Sequence, residues 1–151
     1  MSENIIIREA TIEDRIALWK WRNEPIAQKI YKVSPTIQYK QHKRWFAESM
    51  ESAAVILHIG VMETLRLGCI RYYLRSAGEF EVKVFIKPFY CGKGVGSHML
   101  SKSIDLLRTT CEIQRVYSYI NWVSPSSGAL FEDAGFNVSR SDSTLSCEYI
   151  P

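Results

Sequence analysis

The sequence predicts a mixed α/β domain, of the α+β kind, in which a mostly antiparallel sheet of about six to seven strands is flanked by about four helices. Three observations carry this expectation. The candidate elements run strand, two helices, three strands, helix, strand, helix, strand. In the clearest strand, Phe80, Val82, Val84 and Ile86 alternate with Glu81, Lys83, Phe85 and Lys87, a period of two that lines one face with apolar side chains. A glycine-rich turn, Cys91 to Gly96, then joins this strand to a helix.

Asn4 to Arg8 reads as the first strand. Thr11 is a helix N-cap with Asp14 three residues on, as in a capping box, and Ile12, Ile16 and Trp19 follow at helical spacing. Pro25 marks the expected end of that helix. A second helix is expected after Thr36, where His42, Trp45, Phe46 and Met50 recur at three- and four-residue steps. Ala54 to Val61 and Leu67 to Leu74 read as a hairpin, and Ser76-Ala77-Gly78 as the turn into the alternating strand, which Pro88 ends. Past the glycine turn, Val95, Met99, Leu100, Ile104 and Leu107 share one side of a helix. Val116 to Val123 is a further strand. Ser124-Pro125 pairs a capping hydroxyl with proline at the first helical position, Gly135 suits that helix's C-terminus, and Thr144 to Tyr149 is the last strand.

The chain of 151 residues fits one domain, spanning 1–151, with room for a proper core. Its 46% hydrophobic and 23% charged residues are ordinary for a globular protein. No apolar run approaches the roughly 20 residues that span a bilayer, and Ile5-Ile6-Ile7 is too short for a signal peptide. A cytoplasmic location is therefore expected, with no membrane partner. Cys69, Cys91, Cys111 and Cys147 are scattered, so neither a disulfide framework nor a metal site is expected. A net charge of +3 suits an anionic ligand and falls short of a nucleic-acid footprint.

A glycine turn between strand and helix lets backbone approach an anion closely and aims the first-turn N–H groups at it. Gly92, Gly94 and Gly96 alternate here, and Lys93 adds positive charge. A Walker A loop would end in Gly-Lys-Ser/Thr, whereas this one ends in Gly-Ser-His. A Rossmann fingerprint lacks its third glycine, because Ser97 or His98 stands there. By itself the loop is equally a tight turn before a helix.

The stretch Glu81 to Leu100, EVKVFIKPFYCGKGVGSHML, resembles the central motif of the GNAT acetyltransferases, Gln/Arg-x-x-Gly-x-Gly/Ala after a strand that ends near a proline. Gly94 and Gly96 match its glycines, and Cys91 stands where Gln or Arg is usual. Ser124 to Phe136, SPSSGALFEDAGF, is similar to the family's second signature: Ser127, Leu130, Gly135 and Phe136 match, while Ser124 replaces an asparagine and Phe131 a tyrosine. The resemblance covers nearly the whole chain and implies the GNAT fold, with acetyl-CoA as co-substrate. It assigns the CoA pyrophosphate to Cys91, Gly92, Lys93, Gly94, Val95, Gly96 and Ser97. It assigns the pantetheine arm to the backbone of Val84, Phe85 and Ile86, and further cofactor contacts to Ser124, Ser127 and Phe131.

Acetyl transfer needs a neutral amine and hence a general base. The resemblance points to Glu81, which shares a strand face with Phe85; the alternative is a solvated glutamate paired with Lys83 or Arg71. Phe131 cannot protonate the departing thiolate as a tyrosine would. A thiol of pKa about 8.5 leaves without help, so slower or acid-independent chemistry is expected. Cys91 has no histidine placed beside it by sequence, and direct transfer needs no covalent nucleophile.

Trp19-Lys20-Trp21-Arg22-Asn23-Glu24-Pro25 and His42-Lys43-Arg44-Trp45-Phe46 resemble the Trp-Arg-Asn-Asp-Pro and His-x-x-Trp-Phe stretches of GNAT enzymes that acetylate nucleotide-linked 4-amino sugars, as in pseudaminic acid biosynthesis. That resemblance implies a small-molecule amine acceptor, with a UDP-linked amino sugar as the leading case, held by Trp21, Arg22, Asn23, His42 and Trp45; it also allows a homodimer. Trp45 at helical spacing is equally a core residue, and His42 equally a structural hydrogen-bonder. Acetylation of a protein N-terminus, as by ribosomal-protein acetyltransferases, and a non-catalytic acyl-CoA-binding module are the competing readings.

Overall fold

A computed structural model describes residues 4–31, 36–121 and 125–151 of the chain. Its strands are β1 (Ile5–Glu9), β2 (Val55–Met62), β3 (Leu65–Ser76), β4 (Glu79–Ile86), β5 (Arg115–Ile120), β6 (Asn137–Ser141) and β7 (Thr144–Tyr149). Its helices are α1 (Arg15–Asn23), α2 (Pro25–Tyr31), α3 (Tyr39–Glu51), α4 (Val95–Thr110) and α5 (Pro125–Asp133). The strands form one sheet in the order β1-β2-β3-β4-β5-β7-β6. Every pair is antiparallel except β4–β5. This is the mixed, mostly antiparallel architecture that the sequence predicts, with one more helix and the upper strand count.

Two elements add to the sequence reading. Pro25 does not simply end α1: it opens α2, where its missing N–H falls at a position that needs none. Strand β6 has no apolar alternation, because only Val138 is even half-buried along it; its pairing with β7 holds it in place.

The sheet's faces are sorted by parity. On one face of β3 and β4 lie Cys69, Arg71 and Tyr73, opposite Phe85, Lys83 and Glu81 respectively. Helices α1 and α3 cover this face through Leu18, Trp21 and Phe46, which pack with Leu57, Ile59 and Cys69. On the other face Ile70, Tyr72, Val82 and Ile86 meet Met99, Leu100, Ile104 and Leu107 of α4. Each of those α4 side chains is at most 2% exposed, a burial that contributes about 1.5–3 kcal/mol apiece. A polar cluster is enclosed with them: His58 Nδ1 and the Tyr72 hydroxyl lie 2.7 Å and 2.8 Å from the Ser103 hydroxyl. At the N-terminal end the buried Asp14 carboxylate accepts from Arg8, from Arg66 and from the Thr11 N–H, each at 2.8 Å, tying β1, the first helical turn and β3 together.

Candidate active site

Two of the three glycines in the turn are there for backbone conformation, and the third for packing. Gly92 and Gly94 hold φ of 76° and 79°, the left-handed region, and a Cβ at either would meet nothing within 4 Å. Both backbones therefore face open space. The first intrahelical bond of α4 runs from the His98 N–H to the Gly94 carbonyl, 3.3 Å, so the N–H groups before it are the ones helix geometry leaves for a ligand. Val95 is buried beneath the loop, and Ser97 donates its hydroxyl to the Gly94 carbonyl at 3.1 Å. Gly96 has a different reason. A Cβ there would sit 2.4 Å from Leu130 and 3.3 Å from Ile86, so this glycine lets α4 settle against α5 and β4. Lys93 Nζ stands 4.0 Å over the Phe89 ring at the loop's rim. The Cys91 thiol donates to the Ile86 and Lys87 carbonyls, stapling the turn.

Strands β4 and β5 register only over Glu79↔Arg115, Phe80↔Val116 and Glu81↔Tyr117. Beyond that ladder β4 runs on to Ile86 and β5 to Ile120. Val84, Phe85 and Ile86 lie on the continuing arm of β4, which leads into the glycine turn. Phe131, 4% exposed, packs edge-on against Phe136 and offers no hydroxyl. Ser124, expected to contact the cofactor, lies outside the described residues, as does the Ser127 side chain.

On the α1–α3 face a cavity of about 250 Å³ is lined by Leu18, Trp21, Arg22, Ile37, Gln41, His42, Trp45, Cys69, Arg71 and Phe85. It brings together four of the five acceptor residues read from sequence, and Phe85 joins it to the β4 arm. Trp21 is both wall and core: 6% exposed, it stacks on Phe85. Asn23 is the exception, outside the cavity lining. Its amide accepts from the Ile37 N–H at 2.9 Å and donates to the Ile37 carbonyl at 2.7 Å, so it shapes the segment beside the cavity.

His42 donates Nε2–H to the Arg15 carbonyl at 2.8 Å, which makes Nδ1 the acceptor nitrogen; burial lowers its pKa below 6.5 and keeps it neutral. Among the described residues Arg22 Nη1 is buried with no hydrogen-bond partner, and burial with the Arg71 charge nearby pulls its pKa down. Arg71, which the sequence offered only as a partner for Glu81, stands over the Trp45 ring at 5.8 Å and reaches the Tyr73 hydroxyl at 3.4 Å.

Glu81 does not line the cavity. Its carboxylate is 2.6 Å from Arg75 and 3.7 Å from Lys83. Partial burial alone would raise its pKa, and these two cations bring it below the ordinary glutamate value. The expected pairing with Lys83 is present, and Arg75 takes the place expected of Arg71.

Residues 4–137 match the family model described as an acetyltransferase (GNAT) domain. The chain belongs to the GNAT acetyltransferase family. This GNAT chain is similar in fold to a spermidine N-acetyltransferase from Vibrio cholerae solved with CoA and spermine, with a TM-score of 0.84 and 12% identity over 98% of this chain and 96% of that one. An aminoglycoside acetyltransferase solved with coenzyme A and kanamycin matches with a TM-score of 0.78 and 15% identity over 97% and 94% of the two chains. A domain from Methanocaldococcus jannaschii matches with a TM-score of 0.77 and 21% identity over 97% and 98%. In sequence, an uncharacterized protein of the same archaeon is 24% identical over 139 residues, 90% of this chain; the GNAT chain spans 28% of that relative's length. No helix among the described residues is long and apolar enough to cross a membrane.

Proposed function

We propose that this GNAT acetyltransferase moves an acetyl group from acetyl-CoA to a primary amine of a small acceptor seated in the cavity between α1, α3 and the β3–β4 face. The observation that carries the reading is the placement of Phe85, which belongs both to the cavity wall and to the strand arm that runs into the glycine turn. Two left-handed glycines with open space beside them, next to a helix N-terminus and Lys93, fit a pyrophosphate. Gly92, Lys93, Gly94 and the first turn of α4 would hold it, with the backbone of Val84, Phe85 and Ile86 along the pantetheine arm. Bound there, acetyl-CoA supplies a thioester whose acyl carbon passes to the amine nitrogen as the C–S bond breaks and the amine gives up one proton.

The chain's own part is to bind the amine, strip its water and receive that proton. Trp21, Trp45 and Phe85 give flat apolar walls suited to a sugar or a base. His42 takes the proton on Nδ1, because it lines the cavity, is neutral and has its other nitrogen fixed on Arg15. Glu81 stays in its ion pairs and supports the strand. The acceptor that best fits aromatic walls with two guanidinium groups is a nucleotide-linked amino sugar.

The test is CoA release from acetyl-CoA with UDP-linked 4-amino-4,6-dideoxy sugars beside peptide and polyamine acceptors. Turnover on the nucleotide sugars supports this acceptor. Turnover on peptides alone assigns the cavity to a protein N-terminus, and tight acetyl-CoA binding with no release across the panel makes the domain a binding module.

A further inference from the structure

We propose that Arg22 and Arg71 form an anion-recognition subsite within the cavity, so that the amine this enzyme acetylates carries a carboxylate or phosphoryl group on the same molecule. The inference rests on the cavity being the acceptor site, and deepens that reading by assigning recognition of the acceptor's anionic group to two named side chains, whichever anionic amine enters. Two arginines, Arg22 from α1 and Arg71 from β3, line the same half-open cavity. Arg22 Nη1 is buried and bonded to nothing, one of two such side-chain donors among the described residues; the other, Arg15 Nε, is on a residue outside the cavity lining. A guanidinium has five donors in a rigid fork, and a buried donor left unmatched is costly until an acceptor arrives. Arg71 is held for this by the Trp45 ring beneath it and by Tyr73 beside it.

No carboxylate answers these two charges. Among the described residues the cavity lining has none, and the two acids on this face of β4 are engaged elsewhere, Glu79 by Arg115 and Glu81 by Arg75 and Lys83. The remaining lining is apolar or aromatic apart from Gln41 and His42. The cavity therefore carries two positive charges with no carboxylate in its lining, so a polycation is repelled and an anionic oxygen meets forked donors. The structural neighbours solved with spermine and kanamycin hold cationic ligands. Shared fold does not carry that preference over, since acceptor choice lies in the side chains lining the pocket.

The experiment loads the protein with saturating CoA, which occupies the glycine turn, and titrates UDP, succinate and spermidine while following the fluorescence of the cavity tryptophans. A saturable change with UDP or succinate and none with spermidine is expected; which anion acts separates a phosphoryl from a carboxylate requirement. Arg22→Gln and Arg71→Gln should each weaken the anion about 10-fold or more, with CoA affinity and melting temperature unchanged, while Arg71→Lys restores part of it. The proposal is overturned if spermidine binds as well as the anions, if neither anion binds, or if both glutamine variants bind anions like the parent. Failure of CoA to bind would remove the acetyl-CoA reading, and the same anion titration would still decide the subsite. Acetylation of polyamines by a CoA-binding enzyme blind to both anions would remove the subsite alone.

Discussion

Trp21 and Phe85 stack with ring centroids 5.9 Å apart and planes 7° from parallel, joining a helix that walls the cavity to the strand that leads into the glycine turn. The contact spans two elements that the chain separates by two strands and two helices. It sets the cavity's position relative to the proposed thioester. Trp21→Ala opens a void of aromatic size, which costs about 3–5 kcal/mol, and a domain of this size then loses roughly 10 °C in Tm. Trp21→Phe should keep most of both. In the surviving fraction of Trp21→Ala, KM for the acceptor should rise while KM for acetyl-CoA stays put; equal rises in both would show that the stack serves the fold only.

His42 and Glu81 make opposite predictions for the pH profile. His42 must be neutral to take a proton, and its pKa lies below 6.5. Activity is thus full above 6.5 and falls as pH drops through that lower value. His42→Gln should cut kcat/KM about 100-fold or more and erase this acid limb. Glu81→Gln should stay within about threefold, since it removes only partly exposed ion pairs. A limb that disappears in Glu81→Gln and persists in His42→Gln would return the base to Glu81.

The glycines of the loop divide into two kinds that substitution should separate. Gly94→Ala forces a Cβ into a left-handed residue, a strain of about 1 kcal/mol, at a backbone facing open space. Its main readout should be a raised KM for acetyl-CoA. Gly96→Ala instead presses on Leu130, and overpacking of this kind costs about 1–3 kcal/mol. Its main readout should be a lower Tm, and Leu130→Ala in the same chain should recover part of the loss. An unchanged Tm for Gly96→Ala would mean that α5 shifts freely.

The fold was readable in the sequence wherever burial imposes a period. The alternation at 80–87 and the apolar side of α4 mark their elements directly, and Gly94 marks the turn. Strand β6 was not readable, because an exposed edge strand needs no apolar pattern. Pro25 marks the end of α1 as expected, while α2 was not readable because a proline that ends one helix can also begin the next. In the cavity, Trp21, Arg22, His42 and Trp45 stood out as a dense aromatic and basic run, yet Arg71 did not. It sits 49 positions beyond Arg22 in a strand where an arginine looks solvated, and only the packing of α1 and α3 over β3 brings the two together. Asn23 looked like its neighbours in that run, and its turn-holding bond to Ile37 depends on a segment 14 residues away.

Acid stability should fall in two stages that separate residues control. Burial lowers the His58 pKa from 6.5 to about 4, so the unfolded chain binds this proton first. The stability from keeping His58 neutral is complete above 6.5 and is lost as pH falls toward about 4. Burial would raise the Asp14 pKa, but hydrogen bonds from Arg8, Thr11 and Arg66 bring it far below 3.8, so its share is present above 3.8 and lost on further acidification. Urea midpoints at pH 7, 5, 4 and 3 should decline in both intervals. His58→Asn, which can still bond Ser103 and does not titrate, should flatten the first. Asp14→Asn should lose about 3 kcal/mol at pH 7, because two arginines are left around a neutral amide, and should flatten the second. A parent midpoint that holds constant from pH 7 to 4 would show that His58 charges freely inside the fold, and the cluster with Tyr72 and Ser103 would then have to open to admit water.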